Sequence, residues 1–373
     1  MTESHSSIDR VVIGGGLFGA YAALLLADQG HAVLLVEQGS DLMTRASFVN
    51  QARLHTGLHY PRSILTANEA LKNYRKFRSR FPEAVRDFTQ IYAVAEHNTK
   101  TTGADFSKFI GRIEQPVDEI DANQWFHPAT VSRAFRVTEP SFDASVLRKI
   151  IASEIETRPN IKVMYNTAVI GGSSRADGMY VELNNGEKIE TGGVVIATYA
   201  STNSVRHALG LAPLALTFEL AEVILGRVSP ELHDIGFTVM DGPFWSLMPF
   251  GHTNQVTLTS VGLTPLRRSK GEAVFDCQQQ REGCTPLRLA DCSTCQVRPD
   301  SVAMHQYQQM DRFLKNSSAF TFTGSLLTVK AILTDTEVDD ARPTLIRKET
   351  DSNTYTIFSG KISTLFDLEE ELE

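Results

Sequence analysis

Three sets of residues have types and spacings suited to chemistry. His55 and His59 stand in a polar and aromatic stretch, Asn50 to Arg62, that has no regular period. An imidazole titrates near neutrality, so either ring could serve as a general base, or could simply be a packed loop histidine. All the cysteines of the chain, Cys277, Cys284, Cys292 and Cys295, fall in one segment with the spacing C-x6-C-x7-C-x2-C. Four thiolates around Zn²⁺ would make a closed structural site with no open position for a substrate. An iron–sulfur cluster, two disulfides and four unconnected thiols are the alternatives to zinc. Gly14-Gly15-Gly16-Leu17-Phe18-Gly19 fits G-x-G-x-x-G, a pattern suited to holding a pyrophosphate.

The elements around the glycines decide what that pattern means. Arg10-Val11-Val12-Ile13 predicts a short strand, Ala20 to Ala27 an apolar helix stopped near Gly30, and Ala32 to Val36 a second strand ending at Glu37. Gly14 permits the tight turn, Gly16 lets a pyrophosphate lie against the backbone, and Gly19 lets the helix pack closely on the strands. The free N–H groups of the helix N-terminus then face the phosphates. Glu37 is placed to accept from the ribose hydroxyls, which disfavours a 2′-phosphate and hence NADP. An ordinary glycine turn in an α/β core would not account for Glu37.

Composition limits the classes open to the chain. Its 373 residues suffice for two domains with a large core, and its net charge of −8 offers no basic footprint for nucleic acid. The polar stretch Met1 to Asp9 has no signal-peptide core, and no apolar run reaches membrane-spanning length. A cytoplasmic protein is expected, and that location argues against disulfides.

The fingerprint followed by the Asn50–Arg62 loop resembles FAD-dependent oxidoreductases of the D-amino-acid oxidase/glycine oxidase superfamily. His55-Thr56-Gly57-Leu58-His59-Tyr60 is similar to the loop of the L-2-hydroxyglutarate dehydrogenase branch. The resemblance implies an α/β fold: a Rossmann-like FAD-binding domain with an inserted, largely antiparallel substrate domain, to which this chain adds a small four-cysteine insertion that departs from the ordinary family pattern. The expected boundaries are 1–85, 140–215 and 320–373 for the FAD domain, and 86–139 and 216–319 for the substrate domain, with 277–295 as the cysteine module. The resemblance also implies that Gln38, Arg45, Ser47, Asn50, Gln51, Arg53 and Leu54 approach the flavin or its pyrophosphate, with His55 and His59 near the ring. Ala168 and Val169 would touch the adenine. The strand ending at Ala197 and Thr198 resembles a second flavin motif, although Tyr199 stands where a glycine is usual. Gly360, Lys361 and Ile362 would lie near the pyrimidine end of the ring. Arg342 would hold a substrate carboxylate, or form a surface ion pair.

Further along the chain, Ser63 to Phe81 predicts an amphipathic helix whose basic run is read as a solvated face. Ala144 to Ile155 predicts a helix capped by Ser141 or Asp143. Asn184-Asn185-Gly186 predicts a hairpin turn. Strands are expected at Phe88–Val94, Ile161–Val169, Phe218–Leu225, Gly236–Met240, Phe244–Pro249, Gln255–Ser260, Phe320–Thr323 and Val329–Leu333.

The function these features imply is hydride removal from a C–H bond beside nitrogen or oxygen, with FAD as the redox group. An amine or amino acid is the first expectation and a 2-hydroxy acid or other alcohol the second. The electron acceptor would be O2 or another carrier. A reading of another class is a non-catalytic flavin-binding protein that meets a protein partner through its cysteine module. An NAD(P)H-using reductase fits less well, because only one fingerprint is visible.

Overall fold

The structure is a computed structural model and describes residues 8–175, 178–242, 244–334, 344–349 and 353–372. The fingerprint forms β1 (Arg10–Ile13), α1 (Leu17–Asp28) and β2 (Val33–Val36), close to the expected bounds. α1 is rich in alanine and leucine and is buried on nearly every side, so it packs as a core element rather than a surface one.

β1 lies at the centre of a six-stranded sheet. The order is Leu345–Lys348, Thr354–Phe358, Val194–Ile196, β1, β2 and Ile161–Met164. All pairings are parallel except that of Leu345–Lys348, which runs antiparallel at the edge. A parallel sheet of this kind must be covered on both faces. α1, the helix Ala144–Glu156 and Leu365–Leu372 pack over one face, and the three-stranded meander Val169–Thr191 over the other. The Asn184-Asn185-Gly186 hairpin turn is present, with Gly186 at φ +88°. Asp143 rather than Ser141 caps the Ala144 helix, accepting from the Ser145 and Val146 amides at 2.8 and 3.0 Å.

The second sheet has nine strands and is largely antiparallel. Leu216–Arg227 is its spine. It pairs on one side with Pro265–Lys270 and Val256–Ser260, and on the other with Thr321–Leu333. Trp245–Pro249 and Ile235–Met240 extend the sheet to Thr89–Ala95, Val131–Val137 and Val117–Ile120, so the early segment 89–137 joins this sheet, which roofs the cavity described below.

Several boundaries differ from expectation. Phe320–Thr323 and Val329–Leu333 are one continuous strand, Thr321–Leu333. The small residues Gly324 and Ser325 do not break it, because a bulge opposite Leu225 and Gly226 absorbs the irregularity and pairing resumes on either side. Ile161–Val169 stops at Met164, where the chain bends so that Val169 can open the meander. Pro265–Lys270 and the helices Gly103–Ile110 and Thr202–Ala208 are elements the sequence pattern did not single out. Tyr199 takes φ +47°, the left-handed backbone a glycine adopts freely, so the turn is kept. Its ring stacks on Phe358 with centroids 5.7 Å apart.

The expected zinc site is not assembled. Among the described residues no group of three or more His, Cys, Asp or Glu side chains could hold a metal ion, and the four cysteines are free thiols. The spacing brought the cysteines into one loop without assembling a site for the ion. Cys277 and Cys292 pack against the apolar cluster that holds Phe275 and Leu289, and the Cys284 sulfur accepts from the Ala290 amide at 3.4 Å. Burial, and then the neighbouring Cys284, Cys277 and Cys295, push the Cys292 thiol up to about 12. Hydrogen bonds fasten the loop instead. Arg45 donates to the Ala290 carbonyl at 2.9 Å, and the Ser293 hydroxyl bonds to both the carbonyl and the amide of Leu327 at 3.0 Å.

Candidate active site

One cavity of about 830 Å³ runs between the two sheets. Its floor is the β1 turn. Gly14 has φ +102°, and a Cβ there would lie 2.7 Å from the Ala197 carbonyl oxygen. A Cβ on Gly19 would lie 1.9 Å from the Gly14 carbonyl oxygen, so that glycine is required for the helix to approach the strand. Gly16 differs, since a Cβ there would make only an ordinary 3.5 Å contact with the Ser47 hydroxyl. The chain therefore leaves the space in front of Gly16 clear, at the N-terminus of α1, where an anionic group is favoured.

Glu37 is buried and accepts from the Gly15 and Gly39 amides, each at 2.6 Å. It shapes the loop and lines the cavity at once. The Ser47 hydroxyl accepts from the Leu17 amide at 3.0 Å, tying the segment that leads into the Asn50–Arg62 loop to α1. Gln38 Oε1 and Thr198 Oγ1 are buried polar atoms without a protein partner, and both residues line this cavity. A ligand rich in hydroxyls and phosphate oxygens supplies what such groups need. Of the residues expected to hold the cofactor, Gly14, Gly16, Leu17, Phe18, Glu37, Gln38, Arg45, Ser47, Asn50, Gln51 and Arg53 line the cavity. Ala168, Val169, Ala197, Thr198, Gly360, Lys361 and Ile362 line it too. Gly19 and Leu54 stand behind the wall, Gly19 as a packing contact and Leu54 fully buried. Cys292 is the cysteine whose segment reaches the cavity.

The Asn50–Arg62 loop is folded by its own side chains. Asn50 donates to the Ala46 and Ser47 carbonyls, and its Oδ1 accepts from the Ala52 amide at 2.6 Å. Gln51 donates to the Thr259 hydroxyl on the roof. Arg53 also turns toward the roof. Its guanidinium donates to the Thr238 hydroxyl at 2.7 Å, the Tyr92 hydroxyl at 3.1 Å and the Met248 sulfur at 3.0 Å, and meets Glu139 Oε1 at 3.5 Å.

Glu139 is the residue that sequence spacing missed. It follows the strand Val131–Val137 and is fully buried. It accepts from the Tyr92 hydroxyl and, at 3.2 Å, from the Thr56 amide. Burial alone would raise its carboxyl, but His55, Arg53 and His59 outweigh that and hold it at about 2. His55 Nδ1 lies 3.4 Å from Glu139 Oε1. Burial lowers the His55 imidazole below its ordinary value, Glu139 opposes that, and Arg53 and Lys361 add to the lowering. His59 stacks on His55 with centroids 4.8 Å apart, and its Nδ1 lies 3.4 Å from Arg53 Nη1. Tyr60 packs edge-on to His55, and Lys361 Nζ sits 4.4 Å from the centre of the Tyr60 ring. Both expected histidines thus meet at one place, and both line the cavity. Arg342 lies outside the described residues.

A family profile described as FAD dependent oxidoreductase (DAO) matches residues 9–249, well over half of the chain. The chain belongs to this FAD-dependent oxidoreductase family. The clear space at Gly16, the Glu37 carboxylate and the unpartnered Gln38 and Thr198 oxygens fit FAD. Among sequence relatives, this oxidoreductase is 26% identical over 362 residues to FAD-dependent monooxygenase FPY4 of Fusarium mangiferae, covering 97% of this chain and 89% of that one. Its fold is shared with glycine oxidase from Geobacillus kaustophilus, at a TM-score of 0.72 and 14% identity, covering 98% of this chain and 93% of that one. NikD, an unusual amino acid oxidase essential for nikkomycin biosynthesis, gives a TM-score of 0.72 at 16% identity in its open form, covering 98% of this chain and 92% of that one. The oxidoreductase is therefore an enzyme of the same fold as amino acid oxidases. Among the described residues no helix is long and apolar enough to cross a membrane.

Proposed function

We propose that this FAD-dependent oxidoreductase oxidises a small polar substrate at a carbon that carries a hydroxyl group. One observation carries the reading: His55 lines the cavity with Nδ1 3.4 Å from the buried Glu139 carboxylate, and burial lowers its imidazole. An alcohol must lose its hydroxyl proton as the C–H bond breaks, and a neutral imidazole suits that proton. A neutral amine needs no such base.

When bound, FAD supplies the hydride acceptor. The turn Gly14–Gly19, Glu37, Ser47 and Thr198 would hold its diphosphate, ribose and neighbouring groups, and Gly360–Ile362 would border its ring. His55 takes the hydroxyl proton at Nε2, the nitrogen turned away from Glu139, and its partly exposed ring passes that proton to solvent. The roof strands Trp245–Pro249 and Val256–Ser260 close the site over the substrate and exclude bulk water. The four free thiols fit a reducing compartment, and we place the enzyme in the cytoplasm.

Oxidation beside nitrogen is the second reading, favoured by the amino acid oxidase fold shared with NikD and glycine oxidase. Anaerobic stopped-flow reduction of the bound flavin separates the two. Hydroxy acids and polyols are expected to bleach it quickly, and bleaching confined to amino acids or amines would overturn the alcohol reading. The monooxygenase name of FPY4 is addressed by product mass after turnover in labelled O2, since dehydrogenation leaves no new oxygen in the product.

A further inference from the structure

We propose that Glu139 is a positioning residue that fixes the tautomer and the basicity of His55. The inference rests on the reading of His55 as the base, but its first readout does not depend on turnover.

The argument is geometric. Glu139 is wholly buried, and its carboxylate is held from several sides by the Tyr92 hydroxyl, the Thr56 amide and the Arg53 guanidinium. A carboxylate so fixed cannot follow a moving ring, so the ring must orient to it. His55 Nδ1 lies 3.4 Å from Oε1 as a charge contact, and this buried atom has no hydrogen-bond partner as it stands. Neutral His55 meets that demand by carrying its proton on Nδ1, toward the carboxylate. The lone pair is then on Nε2, the nitrogen a substrate hydroxyl needs. Stacking on His59 and the edge of Tyr60 limit rotation of the ring out of this orientation.

The charges around His55 come from every neighbouring segment. Arg53, His59 and Tyr60 lie on its own loop, Tyr92 on Thr89–Ala95, Glu139 beyond Val131–Val137, and Lys361 in the last turn. Arg53 and Lys361 disfavour the imidazolium, and Glu139 is the group that opposes them. Without Glu139 the ring would be a weaker base with a free choice of tautomer. The proton balance is complete within the named groups. The substrate O–H proton goes to His55 Nε2, FAD when bound would supply the acceptor for the C–H hydride, and the substrate carbon is left as a carbonyl.

The test compares wild-type holoenzyme with Glu139→Gln, labelled with nitrogen-15 at histidine, the His55 signal being assigned through His55→Gln. Removing the carboxylate charge should lower the His55 titration midpoint by about one unit or more and reduce the share of Nδ1–H tautomer. The acid limb of kcat/KM should move by the same amount in the same direction, with a rate loss of roughly tenfold or more. An unchanged midpoint and tautomer would overturn the proposal. A moved titration with an unmoved rate profile would overturn the base role of His55 and leave the Glu139 coupling standing. Glu139→Gln leaves Arg53 without its counter-charge. Should that variant not fold, Glu139→Asp retains the charge at shorter reach. A smaller downward shift of His55 is then expected, and no shift again overturns the proposal.

Discussion

His55 Nδ1 and Glu139 Oε1 lie 3.4 Å apart, joining a cavity-lining loop to a fully buried carboxylate 84 residues further along the chain. The pair sets the expected pH dependence. Burial holds the folded His55 imidazole below its unfolded value of about 6.5, so the ring is neutral through the neutral range. As a base, His55 should sustain kcat/KM down to below pH ~6.5 before the rate falls with its protonation. The linkage has the same sign. Its contribution to stability is full above about pH 6.5 and declines as pH drops toward the lower folded value. His55→Gln should retain FAD and slow flavin reduction by roughly a hundredfold, read by anaerobic stopped flow. Equal rates in the two proteins would remove His55 from the mechanism.

Gly16→Val separates folding from cofactor binding. A side chain at Gly16 meets only the Ser47 hydroxyl at 3.5 Å, so the fold should survive. The branched group would occupy the space left for the pyrophosphate. The expected product is a folded, colourless protein by circular dichroism and visible absorbance. Gly19→Val should instead fail to accumulate, because its Cβ would lie 1.9 Å from a backbone oxygen.

Arg53→Met should be costly to stability. It strands the buried Glu139 carboxylate, and breaking a buried ion pair in this way costs about 3–5 kcal/mol. Glu139 is held at about 2 when folded, against about 4.3 when unfolded. Its stabilising contribution is therefore full above pH ~4.3 and is lost as pH falls toward about 2. Arg53→Met should move that loss to higher pH, as measured by thermal unfolding across an acid series. An unchanged acid profile would mean that the pair does not hold the carboxylate down.

Treatment with a strong chelator should leave the thermal midpoint where it was, because the cysteine loop is fastened by Arg45, Ser293 and apolar packing. Replacing Ser293 by alanine should loosen the loop more than replacing Cys284 by serine, as read by proteolysis within 277–295. A chelator-induced fall restored by added zinc would bring back the tetrahedral site.

Much of this was legible in the sequence, and for a physical reason. The glycine turn, α1 and Glu37 interact within about one βαβ unit, so spacing encodes their geometry. The loop histidines were legible as candidates because so many polar and aromatic groups in one irregular stretch need a use. Glu139 was not, since its partners Arg53, His55 and Tyr92 lie far away in the chain; the loop's backbone pairing with 140–142 brings in the first two and the pairing of Thr89–Ala95 with Val131–Val137 the third. The cysteines misled because spacing fixes the length of a loop, not the geometry of a coordination site. Tyr199 obscured a turn that the backbone nevertheless makes.

The reach of Arg53 has a consequence for redesign. One guanidinium grips Tyr92, Thr238 and Met248, which sit on three different strands, while its backbone belongs to the loop beneath. Transplanting a roof from a distant homologue would sever that clasp unless the donor brought equivalent acceptors at all three stations. Altered selectivity is therefore more accessible through residues at the cavity mouth, such as Arg62 and Val261, than through wholesale exchange of strands.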